Sequence, residues 1–497
     1  MRVAERALPS TSLRVGLIDA AGKRAGVPAP HRQGTQSALD MKKLVLLLAI
    51  VVHLAAAQEQ PAAEMSIRHA TVINVATGAE LKDQTVRIRG ERIVSVSPTQ
   101  DSDAGGIDAR GGFLIPGLWD MHVHVHDSDE LPLYIANGVT GIRIMFGERD
   151  AAKERAELAK ENPSPEIYLA SPIVDGSPPV WPGSIVVKKP ADARRAVDEI
   201  KASGADFVKV YNRIPRDAYF AIADEAKQQH IPFAGHVPDA ITAQEASQAG
   251  QRSIEHLTGI ALACSSRQES LTGDLSHAQY FRDRLTIEAE AYRSIDQTKC
   301  KALLEEFRAN DTWQVPTLTV LRIWGRLDDS KFLSDPRLAY IDRRFRDRWM
   351  ERVQFQLRRW TYSQYELARQ MFAMDEHVVG AMFKAGVPLM AGTDAMNPFC
   401  FPGFSLHDEL AMMVESGLTP LAALQAATIN PAKFMDKTAD FGTIEAGKIA
   451  DLVLLSADPV EDIHNTAHIQ AVWLRGKYFD QAALGGMLEK VKERAKH

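Results

Sequence analysis

Between Phe113 and Asp394 short apolar runs alternate with helical patterns, and this rhythm restricts the fold more than any other feature of the sequence. The predicted strands are Phe113–Val125, Gly138–Met145, Glu166–Ser171, Phe207–Tyr211, Pro232–Val237, Ser253–Leu257, Val315–Leu321 and Val387–Asp394. Helices are expected at Ala151–Lys160, Ala191–Ser203 and Arg216–Gln229. Strands buried on both faces read as continuous apolar runs, and their alternation with helices marks a parallel sheet. Eight of them predict an α/β chain with a (β/α)8 TIM-like barrel; a doubly wound open sheet is the structural alternative.

The flanks read differently. Met65–Asn74 and Gln84–Val96, turning at Gly90, alternate apolar and charged residues, and Gly442–Ser456 with Ile469–Gly476 does the same near the other end. Period-two alternation buries one face and leaves the other wet. The expectation is a barrel (116–437) inserted into a small β-sandwich built from both ends of the chain (58–115 and 438–485). Two connections exceed what a barrel needs, Thr258–Trp313 and Arg322–Ala385. Long loops after barrel strands lie over the catalytic face, so these are read as lids and substrate walls. The run Arg343–Trp349 within the second is read as a solvated helix face.

At 497 residues, with 45% apolar and 25% charged residues and a formal charge of -6, nothing points to nucleic acid or an anionic membrane as partner. Met41-Lys-Lys, an apolar core at 44–54 and Ala55-Ala-Ala57 read as a signal peptide. Residues 1–57 are therefore expected to be a leader, with Met41 the working initiator, and the mature protein to be periplasmic or secreted with no membrane span. An oxidising compartment permits a disulfide, for which Cys264 and Cys300 are the candidate pair and Cys400 the free thiol; three unpaired small hydrophobes are the alternative.

Polar residues at the strand ends carry the chemistry. In an extended strand His122 and His124 share a face. Lys209 lies in the fourth strand, while His236, His256 and Asp394 end the fifth, sixth and eighth. In a barrel these ends converge, and four imidazoles, a lysine and a carboxylate are costly to bury without a shared purpose. Divalent ions such as zinc take these ligands. The set exceeds what one ion needs, whereas two ions roughly 3.5–4 Å apart would use all of it. Lys209 can take part only as a neutral amine carboxylated by carbon dioxide, whose oxygens could bridge the ions; burial near cations favours that neutral form. His126 is read as supporting or structural, Glu255, out of phase with His256, as structural, and His230, His377 and His407 as uninvolved.

The motifs Gly117–His124, Asp206–Tyr211, Ala234–Val237, Ile254–Leu257 and Gly392–Ala395, with the tail Gly442–Val453, resemble the amidohydrolase superfamily, in particular its imidazolonepropionase-like and prolidase-like dipeptidase branch. The resemblance implies His122, His124 and Asp394 on one metal, His236 and His256 on the other, and carboxylated Lys209 bridging both. It implies a metal-bridging hydroxide that hydrolyses the amide of a dipeptide or N-acyl amino acid, with Asp394 moving the proton. Tyr211 and Arg213, following the bridging lysine, are candidate substrate-binding residues. Alternatives are a mononuclear cyclic amidohydrolase or deaminase, from which Lys209 argues away, and a non-enzymatic metal-binding scaffold. The sequence leaves self-association into a homo-oligomer, the substrate and the metal's identity open.

Overall fold

The structure, a computed structural model, describes residues 64–103, 105–160, 163–277 and 281–496. The expected signal peptide at 41–57 lies outside them. In chain order the strands are β1 Glu64–Asn74, β2 Ala79–Arg89, β3 Arg92–Pro98, β4 Ile107–Asp108, β5 Phe113–Pro116, β6 Leu118–Val123, β7 Val139–Ile144, β8 Glu166–Leu169, β9 Val174–Asp175, β10 Ile185–Val186, β11 Val208–Val210, β12 Phe233–Gly235, β13 Ser253–Glu255, β14 Trp313–Val315, β15 Leu452–Leu455, β16 Ile469–Leu474 and β17 Lys477–Asp480.

Both ends of the chain meet in one eight-stranded sheet, ordered β17-β16-β15-β5-β1-β2-β3 with β4 beside β1. The seam is the antiparallel pair β5–β15, Phe113 opposite Leu455 and Pro116 opposite Leu452. An Arg92–Ile449 bridge brings β3 back against the chain leading into β15, so the sheet curls around its own core. Ile67, Val72, Val86, Ile88, Leu114, Leu452 and Trp473 fill that core. The β1–β2 hairpin shows how local chemistry sets the register. Asn74 Oδ1 accepts from the backbone of Ala76 and Thr77, its carbonyl accepts from Gly78, and Gly78 supplies the left-handed φ of +78° that closes the turn.

The middle of the chain is mixed α/β with parallel pairing. β6, β7 and β8 pair in sequence; an Ala170–Phe207 bridge passes the ladder on towards β11, and β11 to β14 follow in order. The eighth predicted strand, Val387–Asp394, is not a regular strand. It holds its place by a Gln314–Leu389 bridge on one side, while Ala395 bridges Val123 of β6 on the other. Met121 N donates to Ala391 O and Asp394 N to His122 O, at 2.9 and 2.8 Å. The parallel pairings therefore run through eight segments and return to the first.

The covering helices follow from their sequences. Helix Pro190–Ser203 starts with proline in its first turn, where no backbone donor is needed, and stops at Gly204 in the left-handed conformation. Ala193, Ala196, Val197 and Ile200 form its buried stripe at helical spacing. The two long connections are helical as expected. The first carries helices Ile260–Cys264 and Gln297–Ala309, tied by a Cys264–Cys300 disulfide, and Cys400 is free and buried. The second carries helices Arg343–Leu357 and Tyr362–Ala385. Arg343 and Arg344 face solvent as read from the sequence, whereas Trp349 on the same helix is buried. No helix among the described residues is long and apolar enough to cross a membrane.

Candidate metal centre

One clamp positions the first ligands. Asp120, two residues before His122 on β6, accepts from Thr393 N at 3.0 Å, Thr393 Oγ1 at 2.6 Å and His122 N at 3.3 Å. This joins β6 to the segment carrying Asp394. Gly392 permits the close approach, because a Cβ there would lie 2.6 Å from Val315 Cγ1 and 2.9 Å from both His122 N and His122 Cβ. Asp394 then takes a left-handed φ of +59° and turns its carboxylate inward. Its Oδ1 lies 2.9 Å from His124 Nε2 and 3.4 Å from His122 Nε2.

Each of three imidazoles is oriented through its Nδ1. That of His122 donates to Glu255 Oε2 at 2.7 Å, that of His236 to Asn212 Oδ1 at 2.6 Å. That of His256 meets Thr317 Oγ1 at 2.6 Å; since Thr317's own hydrogen goes to the Pro316 carbonyl, the histidine must be the donor. With Nδ1 protonated, each Nε2 keeps a free lone pair, and that of His122 lies 3.4 Å from Asp394 Oδ1. Burial, reinforced by Lys209 and neighbouring histidines, holds His122 and His236 well below the ordinary imidazole value. Burial lowers His256 to about 4 against the opposing pull of Asp394. The rings are contiguous, with centroids 4.5 Å apart for His122 and His256 and 4.8 Å for His236 and His256.

Lys209 enters from β11, and Gly235 makes room for it: a Cβ there would lie 3.1 Å from the lysine Cδ and 2.2 Å from Val210 O. The lysine is buried, and desolvation lowers its amine to about 8 although Glu255 and Asp394 attract its charged form. Burial alone would raise the Asp394 carboxyl, but His256, His124 and Lys209 outweigh it and hold the group below its usual value.

Ligand atoms of His122, His124 and Asp394 all lie within 4.8 Å of one another. His122 Nε2 is buried and has no hydrogen-bond partner. A buried acceptor with no donor is costly, and a cation is what this donor set fits. His236 and His256 join through ring contacts, outside that three-residue cluster. Tyr211 packs on His236 with centroids 4.0 Å apart; burial pushes its hydroxyl up to about 12, and that oxygen accepts from Trp181 Nε1 at 2.9 Å. Arg213 is exposed and its Nη1 donates to the Pro178 carbonyl at 2.8 Å. His126 stacks on Phe345, and His407 is held by Thr466 and the Asn137 carbonyl, away from the cluster.

Sequence reasoning missed the supports. Glu255, read as structural, aligns His122 and is itself held by Arg143 at 2.8 and 2.9 Å, with Arg143 lying over Phe207 and Phe434. Asn212 and Thr317 gave no signal beyond their nearness to Tyr211 and to β14.

An α/β chain whose parallel strands surround a histidine–aspartate cluster defines a class of metal-site proteins, and comparison with known proteins narrows it. Residues 366–478 match the model of the Amidohydrolase family. Imidazolonepropionase of Pseudomonas savastanoi pv. phaseolicola is 37% identical over 97 residues, 19% of this chain and 22% of that protein. The matched stretch thus spans about a fifth of that relative's length. A bottromycin amidohydrolase structure aligns with a TM-score of 0.72 at 25% identity, covering 87% of this chain and 90% of that one. A Xaa-Pro dipeptidase with methionine in its active site has the same fold, with a TM-score of 0.61 at 18% identity over 84% of this chain and all of that one. The chain thus carries an Amidohydrolase-family match over residues 366–478 and shares the fold of the bottromycin amidohydrolase.

Proposed function

We propose that the protein is an exported metal-dependent amidohydrolase that hydrolyses the amide bond of a dipeptide or N-acyl amino acid. The observation that carries this is the unpartnered His122 Nε2, buried beside His124 and Asp394 with Lys209 in electrostatic reach. In this reading a (β/α)8 barrel (116–437) is inserted into a β-sandwich (58–115 and 438–485), and residues 41–57 direct export. His122, His124 and Asp394 would hold one ion, His236 and His256 a second, and Lys209, carboxylated, would bridge them. Zinc suits these nitrogen and oxygen donors. The likeness to a dipeptidase and to an amidohydrolase supports the choice of bond.

Ions held there would supply an acidified water and would polarise the scissile carbonyl. Asp394, ionised and within reach of two imidazoles, takes the proton of the attacking water and returns it to the departing amine. Tyr211 would donate its hydroxyl to a substrate oxygen, and Arg213 stands further out on the substrate side.

The single-ion reading, an imidazolonepropionase-like cyclic amidohydrolase, is favoured by the fact that only three donors converge within 4.8 Å among the described residues. Metal content per chain separates the two. A panel of dipeptides, N-acyl amino acids and cyclic amides then tests the chemistry. Asp394→Asn is expected to lower kcat by about 10²–10⁴-fold. Full activity in that variant would remove the assigned proton carrier, and a protein that binds metal but cuts nothing would be a scaffold.

A further inference from the structure

We propose that Arg352, on the helix Arg343–Leu357 above the metal centre, binds the free carboxylate of the substrate together with the hydroxyl of Tyr211. The inference rests on the amide-hydrolase reading and names its recognition element.

That helix is pinned across the mouth of the site at successive turns. Phe345 stacks on His126 with centroids 4.9 Å apart, and Trp349 lies 6.1 Å from both Phe399 and Phe401. Arg352 follows at i+7 from Phe345, so it belongs to the same helix face. It lines a small apolar cavity of about 20 Å³ with Trp324, Asn397 and Pro398. Asn397 Nδ2 donates to the Asp394 carbonyl at 3.1 Å, so this cavity adjoins the ligand segment.

The guanidinium of Arg352 lies over Trp324 at 5.6 Å, and among the described residues no carboxylate or carbonyl oxygen bonds to it. Four other arginines are occupied. Arg284 forks onto Asp239 at 2.8 and 2.9 Å, Arg322 and Arg337 share Asp408, and Arg213 is spent on Pro178. Partial burial lowers the pKa of Arg352, while Tyr211 and Asp394 pull it back up, which puts both within electrostatic reach. Its side chain still opens to solvent, where a ligand can meet it.

Tyr211 completes the site. An indole N–H only donates, so the Trp181 contact occupies the Tyr211 oxygen as acceptor and leaves its O–H to donate. A phenol O–H packed on His236 and a guanidinium on the cavity that adjoins the Asp394 segment, both without acceptors among the described residues, match a carboxylate. Trp181 is then a positioning residue. The bond cut would be the amide next to a residue that ends in a free carboxylate.

The test compares N-acetyl-leucine, N-acetyl-phenylalanine and N-acetyl-proline with their C-terminal amides as substrates of the zinc-loaded full chain. Wild type should prefer the acids, and Arg352→Met should lose about 100-fold in kcat/KM on them, mostly through KM, with little change on the amides. Arg352→Lys should recover part of the loss. Trp181→Phe, which keeps the ring and drops the N–H, should raise KM for the acids alone. An Arg352→Met enzyme that keeps the acid preference and its KM overturns this inference while leaving the hydrolase reading intact. A wild-type enzyme that cuts neither acids nor amides overturns both.

Discussion

Glu255 Oε2 lies 2.7 Å from His122 Nδ1, and both side chains are fully buried. The carboxylate is shared with Arg143, so a metal-site imidazole is tethered to a buried ion pair within the ring of strands. Glu255→Gln keeps the shape but weakens the charge that orients the ring. Supporting contacts of this kind are worth about 10–100-fold in metal affinity. Competition with a chromophoric chelator should detect that loss. It should also find lower stability to urea, since an unpaired buried charge is expected to cost about 3–5 kcal/mol. Unchanged affinity would mean that His122 needs no support.

Gly392 is the narrowest point of the clamp. The methyl of Gly392→Ala would press on Val315 and on the His122 backbone. Overpacking of this sort costs about 1–3 kcal/mol. The larger consequence is expected at Asp394, two residues on, so metal content should fall more than thermal stability does. A variant with full metal occupancy would show that the segment can give way.

Asp451 provides a pH test remote from the metal centre. Burial raises its carboxyl from 3.8 to about 7, Oδ1 accepts from Arg475 N, and Oδ2 is buried without a partner. Because the folded value lies above the unfolded one, the fold binds the proton more tightly. Its contribution is complete below about pH 4 and is lost as pH rises towards 7. Asp451→Asn cannot ionise, so the variant should gain on wild type by up to about 1.4 kcal/mol per pH unit across that window. Denaturant melts of both proteins at pH 5 and pH 8 would measure this, and an equal difference at the two values would refute it.

The Cys264–Cys300 bond closes a loop of 36 residues. Replacing both cysteines by alanine should cost about 2–4 kcal/mol of stability. Because the loop lies in one excursion of the chain, limited proteolysis should cut first between 264 and 300 in the variant. Cleavage elsewhere first would place the weak point outside this insertion.

The period-two argument located His122 and His124, although β6 ends at Val123 and His124 is the residue just beyond it, its N–H held by the Ala395 carbonyl. The same argument misjudged Glu255. Ser253 and Glu255 share a face, as alternation requires, and both meet Arg143. The chain then leaves the strand, His256 adopts a φ of +57°, and it too turns inward. A left-handed residue after a strand is invisible to periodicity, which is why Glu255 and His256 looked out of phase. Val387–Asp394 read as a strand because it is apolar, yet it pairs through isolated bridges and the Asp120 clamp. The meeting of the chain ends at β5 and β15 was legible from their common alternation. The way in which Arg213 is spent on Pro178 was not, since it depends on where a neighbouring loop runs.

The β5–β15 seam also bears on how the molecule is made. While a ribosome is still working through the middle of the chain, the exposed rim of β5 has nothing to hydrogen-bond, because its partner lies more than three hundred residues downstream. An orphaned rim of that kind is a template for sticking to other copies. Chains cut short before Leu452 should therefore precipitate even with every metal-site residue in place.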